Sequence, residues 1–313
     1  MEIKVKPDFI IAGAMKSGTT SLHEIINKSR EIFIPKGEVN LFTLDDIDQF
    51  PQAFWSDGLV DQCINEYSEL YKKWYDKIYE KAGNDQIIGE DSTHYLSSGK
   101  AMSRVSRLMP KTKIIIMLRD PLERVHSHYW HWVRTYRAIY SIEKTIRFRH
   151  GNMLQRSLYK KQMERVFDYF DSDQVMVIIF EEFVENKKRV IKKVCDFLEI
   201  KYDKKLLGGK TKYNASKYPY FPNVKLIRNL LVSKVYGAKY DGKIPRVDES
   251  SELSMSEKIV IKISNLISPN KLDKKPSLKK RTKNFLKKFL HRRNSGLEKI
   301  LDRNLSKYWK TFQ

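Results

Sequence analysis

The sequence predicts an α/β fold in which helices cover both faces of a central parallel sheet, and three observations predict it. Short apolar runs alternate with amphipathic helical patterns over residues 8–198. The run Lys113–Leu118 (KIIIML) is apolar on consecutive positions, as a strand covered on both faces must be. The run Asp8–Gly13 (DFIIAG) ends in glycine and leads straight into a helical pattern at Leu22, Ile25 and Ile26.

The remaining elements follow in order. A stretch rich in Trp and Tyr, Phe42–Gly83, contains a helix over Tyr67–Ala82, and a short strand follows at Gln86–Glu90. Gly99–Met109 reads as a helix stopped by Pro110. Asp120 as N-cap and Pro121 at the first helical position start a helix that runs to Arg134. A helix covers Gln155–Phe170, a third buried strand Asp173–Phe180 (DQVMVIIF), and a further helix Val184–Leu198. Residues 231–277 have mixed polarity and weak periodicity and read as a variable, irregular segment. Leu278, Phe285, Leu286, Phe289 and Leu290 fall at helical spacing, as do Leu297, Ile300, Leu301, Leu305 and Trp309, so both stripes need a core to pack on. No internal repeat is present. The expected organisation is one domain over 1–313, with 278–313 as its basic C-terminal helical region.

Composition bounds the function. Of 313 residues, 41% are hydrophobic and 31% charged, enough apolar material for a real core. Cys63 and Cys195 are the only cysteines, which excludes a disulfide framework and a cysteine-rich zinc site. No stretch approaches the ~20 apolar residues of a bilayer span. Glu2 and Asp8 flank the only apolar run near the N-terminus, which does not read as a signal peptide. The expectation is a soluble cytoplasmic protein. The net charge of +22 calls for an anionic partner: nucleic acid, a phosphorylated cofactor, an acidic polysaccharide or a membrane surface. Residues 271–313 hold eleven Lys and four Arg against Asp273, Glu298 and Asp302.

The sharpest motif is Gly13-Ala14-Met15-Lys16-Ser17-Gly18-Thr19-Thr20, between the first strand and the first helix. Such a turn aims backbone N–H groups at one point, and the helix N-terminus adds positive potential, so the pair forms an anion cradle. Lys16 and the hydroxyls of Ser17, Thr19 and Thr20 add donors. The nucleotide triphosphatase pattern puts lysine directly after the second glycine, whereas Thr19 follows Gly18 here. A second motif, Lys113–Arg134 (KIIIMLRDPLERVHSHYWHWVR), places Arg119 at the C-terminal end of a strand, with Arg124 and Ser127 on one face of the next helix.

The first motif resembles the 5′-phosphosulfate loop of sulfotransferases that use 3′-phosphoadenosine 5′-phosphosulfate (PAPS), in particular the carbohydrate branch with its heparan sulfate and bacterial members. The second resembles the same family's 3′-phosphate site. The resemblance implies a single-domain, P-loop-like three-layer fold. It implies that Lys16, Ser17, Gly18, Thr19 and Thr20 hold the 5′-phosphosulfate and that Arg119 and Ser127 hold the 3′-phosphate. Pro35–Phe42 (PKGEVNLF) resembles the segment that carries the branch's general base, which falls on Glu38. Gly89–Tyr95 (GEDSTHY) resembles a strand-end segment near the acceptor, with Asp91 where the family commonly has lysine. Gly208–Pro222 resembles a basic loop over the cofactor, which assigns Ser216 and Lys217 to the phosphates. Ser157–Val194 is similar to the family's middle and Leu297–Trp309 to its closing helix.

The implied reaction moves a sulfuryl group from PAPS to a hydroxyl or amine of a carbohydrate acceptor and releases 3′,5′-ADP, with no metal. Lys16 would neutralise the leaving group and Glu38 would take the acceptor proton. His94 is an alternative base, and Ser92 and Tyr159 are further acceptor-side candidates. His128 and His131 stand three apart on a helix, a minor zinc candidate. The expected partner is a carbohydrate or glycan acceptor, neutral or anionic. For the basic tail, core packing is the first expectation and contact with a membrane surface the second. Two other classes stay open: a P-loop nucleotide kinase, and a nucleic-acid-binding protein using its charge and aromatics.

Overall fold

The computed structural model describes residues 4–43, 46, 49, 68–148, 150–209, 217–238 and 254–313. Strand β1 (Phe9–Gly13) leads into helix α1 (Thr19–Ile26) and the short strand β2 (Ile32–Phe33). Helix α2 (Ser68–Ile78), β3 (Ile87–Asp91), α3 (Gly99–Leu108), β4 (Lys113–Leu118) and α4 (Pro121–Arg134) follow. Next come α5 (Ile142–Phe148), α6 (His150–Gln155), α7 (Tyr159–Tyr169), β5 (Val175–Ile179), α8 (Phe180–Glu185) and α9 (Lys187–Leu198). The chain ends with β6 (Tyr218–Pro219), α10 (Pro222–Ala238), α11 (Met255–Ile267), β7 (Asn270–Leu272), α12 (Lys280–Arg293) and α13 (Leu297–Leu301).

The central sheet has five strands in the order β2-β3-β1-β4-β5. Every pair in it is parallel. The period of two along a strand sorts the side chains into two cores. Phe9, Ile11, Ile115 and Met117 meet α1 and α9 through Leu22, Ile25, Val190 and Val194. Ile10, Ala12, Ile114, Ile116 and Leu118 meet Tyr75, Met102, Val105, Met163, Val166 and the C-terminal Trp309. A third cluster joins Leu122, Val125 and Tyr129 of α4 to Leu286 and Leu290 of α12, so the basic helix puts its apolar stripe into the protein.

Several boundaries differ from the sequence pattern, each for a tertiary reason. The helix expected over Gln155–Phe170 is broken between α6 and α7. The buried Arg124 guanidinium donates to Met153 O, the carbonyl that Ser157 N would use in a continuous helix, and to Ser157 Oγ. The strand at 173–180 is an edge strand rather than one buried on both sides, and Val175, Met176 and Val177 remain partly exposed. The helix expected over Val184–Leu198 divides at Asn186 into α8 and α9. The closing helix stops at Leu301, where Asp302 takes a left-handed φ of 48°, and the rest turns back to bury Leu305 and Trp309. Residues 231–277 are not irregular where described: they hold the end of α10, all of α11 and β7. Just before and within this range α10 and α11 are built inside out: Lys225, Arg228, Asn229 and Ser264 are buried while Ile227, Leu230, Ile259 and Ile263 face outward, so on α11 the apolar spacing does not mark the inward face.

Candidate active site

All strands of the sheet are parallel, so their C-terminal ends share one edge, where open α/β sheets bind ligands. Four connections meet there. After β1, Ala14 N donates to Met117 O (2.8 Å) and Ser17 N to Ala14 O (3.1 Å), which folds residues 14–18 into a tight loop. Gly18 is the N-cap of α1 at φ 93° and no side chain caps the helix. The first-turn amides therefore face outward for a ligand. A Cβ on Gly18 would come within 2.7 Å of the Phe180 ring, so the turn needs glycine for space as well as for φ.

Lys16 itself has φ 70°, a left-handed conformation that costs a residue with a side chain on the order of 1–2 kcal/mol. Burial lowers its pKa to about 8, helped by Arg134, Arg119 and Arg124 and opposed by Glu38. The ammonium thus sits among cations with one nearby carboxylate. Ser17 is fully buried, and Thr19 nearly so. Arg119, at the end of β4, donates to Lys16 O (3.3 Å), lies over the Phe180 ring (4.7 Å) and is 3.8 Å from Glu123. Its buried Nε has no protein acceptor. Ser127 is partly exposed on α4, while Arg124 is fully buried and holds the α6–α7 break, so it serves the fold rather than a ligand.

Glu38 is brought to this edge by residues 36–40, which dock on the end of β3. Val39 N donates to Asp91 O (2.8 Å) and Asn40 N to Ser92 Oγ (2.8 Å). The Thr93 hydroxyl (2.9 Å) and Asn40 Nδ2 (3.0 Å) both donate to Glu38 Oε2. Its electrostatic influence reaches Lys16, Arg156 and Asp91, so the four share one centre. Asp91 is buried with His23 at 3.2 Å, and burial raises its pKa to about 6.

His94 also lies at this edge, with its backbone N–H donating to Asn40 Oδ1 (3.2 Å). Arg156 Nη1 stands 3.3 Å from His94 Nε2, and a guanidinium can only donate, so that nitrogen's lone pair is engaged. Two acceptor-side candidates are corrected. Ser92 is wholly buried and its hydroxyl is used between Asn40 N and Glu90 Oε1 (2.6 Å). Tyr159 is also wholly buried, against Trp309 and near Ser17 and Arg124, beneath the loop instead of on the acceptor side. Lys217 turns to Asp273 (2.6 Å), an exposed pair, and not to the loop. Ser216 lies outside the described residues.

The sequence pattern missed Arg134 and Arg156 as members of the centre and read His131 only as a zinc candidate. Arg134 and His131 continue the face of α4 that carries Ser127, a spacing that could have revealed them. Arg134 Nη1 is buried without an acceptor, and Tyr218 lies 5.9 Å from its guanidinium. Burial and the cations Lys16, Arg137, Arg134 and Arg156 push His131 down to about 3, so it is neutral. The same surroundings depress His128, and a neighbourhood this positive opposes a cation at the pair. Arg156 carries no local signal, because it follows the break after α6. Buried Glu90 accepts from the hydroxyls of Tyr75 (2.8 Å), Tyr79 (3.1 Å) and Ser92 and anchors the end of β3 below Glu38.

Comparison with known proteins adds to this geometry. The model of the sulfotransferase family matches residues 7–204. The chain is 26% identical over 206 residues to the mouse (Mus musculus) protein named heparan sulfate glucosamine 3-O-sulfotransferase 3B1, covering 63% of this chain and 47% of that one. It is 30% identical over 124 residues to the membrane-associated sulfotransferase kil1 of Dictyostelium discoideum, covering 39% of this chain and 22% of that protein. The chain thus spans at most about half the length of these curated relatives. A sulfotransferase crystal structure from Alicyclobacillus acidocaldarius aligns over 97% of this chain and 99% of its own, with TM-score 0.60 and 24% identity, which extends the likeness in fold to the C-terminal helices.

Proposed function

The chain belongs to the sulfotransferase family, and from that premise we propose that it transfers a sulfuryl group from PAPS to a hydroxyl or amine of a carbohydrate acceptor, with Glu38 as general base. The observation that carries this reading is the convergence of Lys16, Arg119 and Glu38 on one edge of the sheet, with the uncapped helix between them. The fit to a doubly phosphorylated nucleotide rests on that free helix end and on the buried Arg119 Nε that lacks an acceptor. The named relatives that act on heparan sulfate support a glycan acceptor.

In this mechanism the first-turn amides of α1, Thr19 and Thr20 hold the 5′-phosphate, and Arg119 and Ser127 the 3′-phosphate. Glu38 takes the acceptor's proton as the acceptor oxygen or nitrogen bonds to sulfur. The bond from sulfur to the bridging oxygen breaks, and Lys16 compensates the charge left on the departing 3′,5′-ADP. Thr93 and Asn40 fix the carboxylate by bonding Oε2, which leaves Oε1 for the proton. Each proton and charge in these steps has a carrier on the chain or on the donor.

The test is single-turnover transfer at saturating donor and a glycan panel. Glu38→Gln should bind 3′,5′-ADP as the wild type does and transfer at least ~100-fold more slowly, the scale of general-base catalysis. A Glu38→Gln protein at full rate with an inactive His94→Ala would assign the base to His94. Tight binding of ATP with magnesium in place of 3′,5′-ADP would return the reading to a kinase.

A further inference from the structure

The strand pair β6–β7 brings a further segment of the chain to the β4–α4 turn. Tyr218 of β6 packs edge-on against Trp130 of α4, with 5.5 Å between ring centres, and pairs with Leu272 of β7. The residues that follow β7 therefore reach the N-terminal half of α4, where two contacts pin them. Trp130 Nε1 donates to His126 Nε2 (3.0 Å), so that nitrogen is an acceptor and the ring proton sits on Nδ1, which bonds the Pro276 carbonyl. Lys275 Nζ donates to Glu123 Oε2 (2.6 Å).

Glu123 stands one turn after Arg119 and one turn before Ser127, on the same side of α4. Its Oε2, the atom that accepts from Lys275, is also the atom 3.8 Å from Arg119 Nη2. One carboxylate oxygen thus lies between two cations. Burial would raise the Glu123 pKa, but Lys275 and then Arg119 bring it below the ordinary value, so the group is an anion at neutral pH. The Lys275 side chain is only 17% exposed. Burial lowers its pKa, Glu123 opposes this and Arg119 adds to it. An ammonium kept from water beside a guanidinium is unfavourable unless anions balance both. The other carboxylates nearby are committed to the fold. Asp120 caps α4 and accepts from Thr311, and Glu181 accepts from Asp120 N and Trp309 Nε1. Glu123 therefore serves two cations with one negative charge, and the buried Arg119 Nε still lacks an acceptor.

We propose that Lys275 is a second cationic ligand of the donor's 3′-phosphate, beside Arg119, and that Glu123 competes with that phosphate for both cations. The inference rests on the PAPS reading above and adds to it a residue from a part of the chain that no motif covered. A phosphate monoester carries about −1.5 to −2 charge at pH 7, which matches two cations better than one carboxylate does. Arg119 offers a planar fork for two oxygens, and Lys275 a point charge with two N–H groups beyond the one given to Glu123. A nucleotide without the 3′-phosphate leaves both cations on Glu123. The cluster therefore selects for the 3′-phosphorylated nucleotide instead of strengthening nucleotide binding at large.

The experiment is calorimetric binding of 3′,5′-ADP and of 5′-AMP to the full chain and to three variants, with the melting temperature of each as the check on folding. Lys275→Met should weaken 3′,5′-ADP by ~10-fold, the loss of a charge-assisted contact in a partly solvated place, and leave 5′-AMP nearly unchanged. Lys275→Arg should keep most of the preference. Glu123→Gln should tighten 3′,5′-ADP several-fold, because the competitor loses its charge, and should not alter 5′-AMP. It decides the matter if Lys275→Met melts early. A folded Lys275→Met that keeps the full preference, or loses both nucleotides in parallel, overturns the proposal, as does a Glu123→Gln that binds 3′,5′-ADP more weakly. A preference lost in Arg119→Ala but kept in Lys275→Met sinks this inference alone. A wild type that binds both nucleotides equally would instead sink the PAPS reading beneath it.

Discussion

Lys16 shows what one residue contributes. Its backbone is left-handed and its ammonium is held among arginines, so the free protein favours the neutral amine more than water does. The sign follows from that. A lysine whose pKa falls from 10.5 to about 8 on folding weakens the folded state fully below pH 8, and the penalty fades as pH rises from about 8 to 10.5. A bound phosphate favours the charged form instead. Binding of 3′,5′-ADP near pH 8.5 should therefore take up protons, and affinity should fall as pH rises above about 8. Calorimetry in buffers of different ionisation enthalpy measures the uptake, and Lys16→Met should abolish it. An unchanged proton count in that variant would remove Lys16 from the phosphate site. Arg119→Ala should weaken 3′,5′-ADP by ~10- to 100-fold, the loss of a charge-assisted contact worth about 1.5–3 kcal/mol. Affinity for 5′-AMP should change much less. A wild type that binds both nucleotides equally has no 3′-phosphate site for Arg119 to serve.

At the scale of elements, the loop after β1 and the segment before Glu38 each contain a glycine at positive φ, and they differ in what surrounds them. Gly18→Ala puts a methyl group 2.7 Å from Phe180 at φ 93°, whereas Gly37→Ala at φ 86° meets nothing within 4 Å. Gly37→Ala should cost about 1–2 kcal/mol of strain and spare donor affinity. Gly18→Ala should add an overpacking cost of about 1–3 kcal/mol and largely remove 3′,5′-ADP binding, because either Phe180 or the loop must move. Urea titration and nucleotide binding on both variants separate the two. The core strands, α1, α3 and α4 were legible because local signals agreed with the tertiary outcome: apolar runs, Pro110 as a stop, Asp120-Pro121 as a start. The Asp120 side chain does cap α4, accepting from Leu122 N (2.9 Å) and Glu123 N (3.1 Å). The α6–α7 break and the ends of α8 and α13 were not legible. They depend on Arg124, Glu182 and Glu298, whose partners are distant or only settled on folding.

At the scale of the molecule, the last residues close the structure over the site's supports. Thr311 donates through N (2.9 Å) and Oγ1 (2.8 Å) to Asp120, and Trp309 Nε1 donates to Glu181 Oε2 (2.9 Å). Trp309 is fully buried against Tyr159 and Phe312, so the chain terminus and the β4–α4 turn are one packed unit. Trp309→Ala should lower stability by about 3–5 kcal/mol and weaken nucleotide binding along with it. The wild type should melt in one transition, and 3′,5′-ADP should raise the midpoint with or without EDTA, as a ligand of the folded state alone does. A separate early transition assigned to residues 278–313 would argue against a single domain. A shift that EDTA abolishes would call for a metal at the site.

The sequence by itself determined the sheet, the glycine-bearing turn between the first strand and the first helix, and the order of the helices around them, since each rests on residues adjacent in the chain: Gly13 to Thr20, Ile114 to Leu118, Asp120-Pro121. It also nominated Lys16, Arg119 and Glu38 by resemblance, and the structure brings the three to one edge of the sheet. Only the tertiary structure decided which side chains surround them. Arg156, Arg134 and His131 enter the centre, while Ser92 and Tyr159 leave the acceptor side, because burial and hydrogen-bond partners are set by elements far apart in sequence. The inside-out hairpin is the sharpest case. Periodicity says that a helix has two faces, but which face turns inward is settled by the carbonyls of Val133 and Ala138 awaiting Arg228 and Asn229.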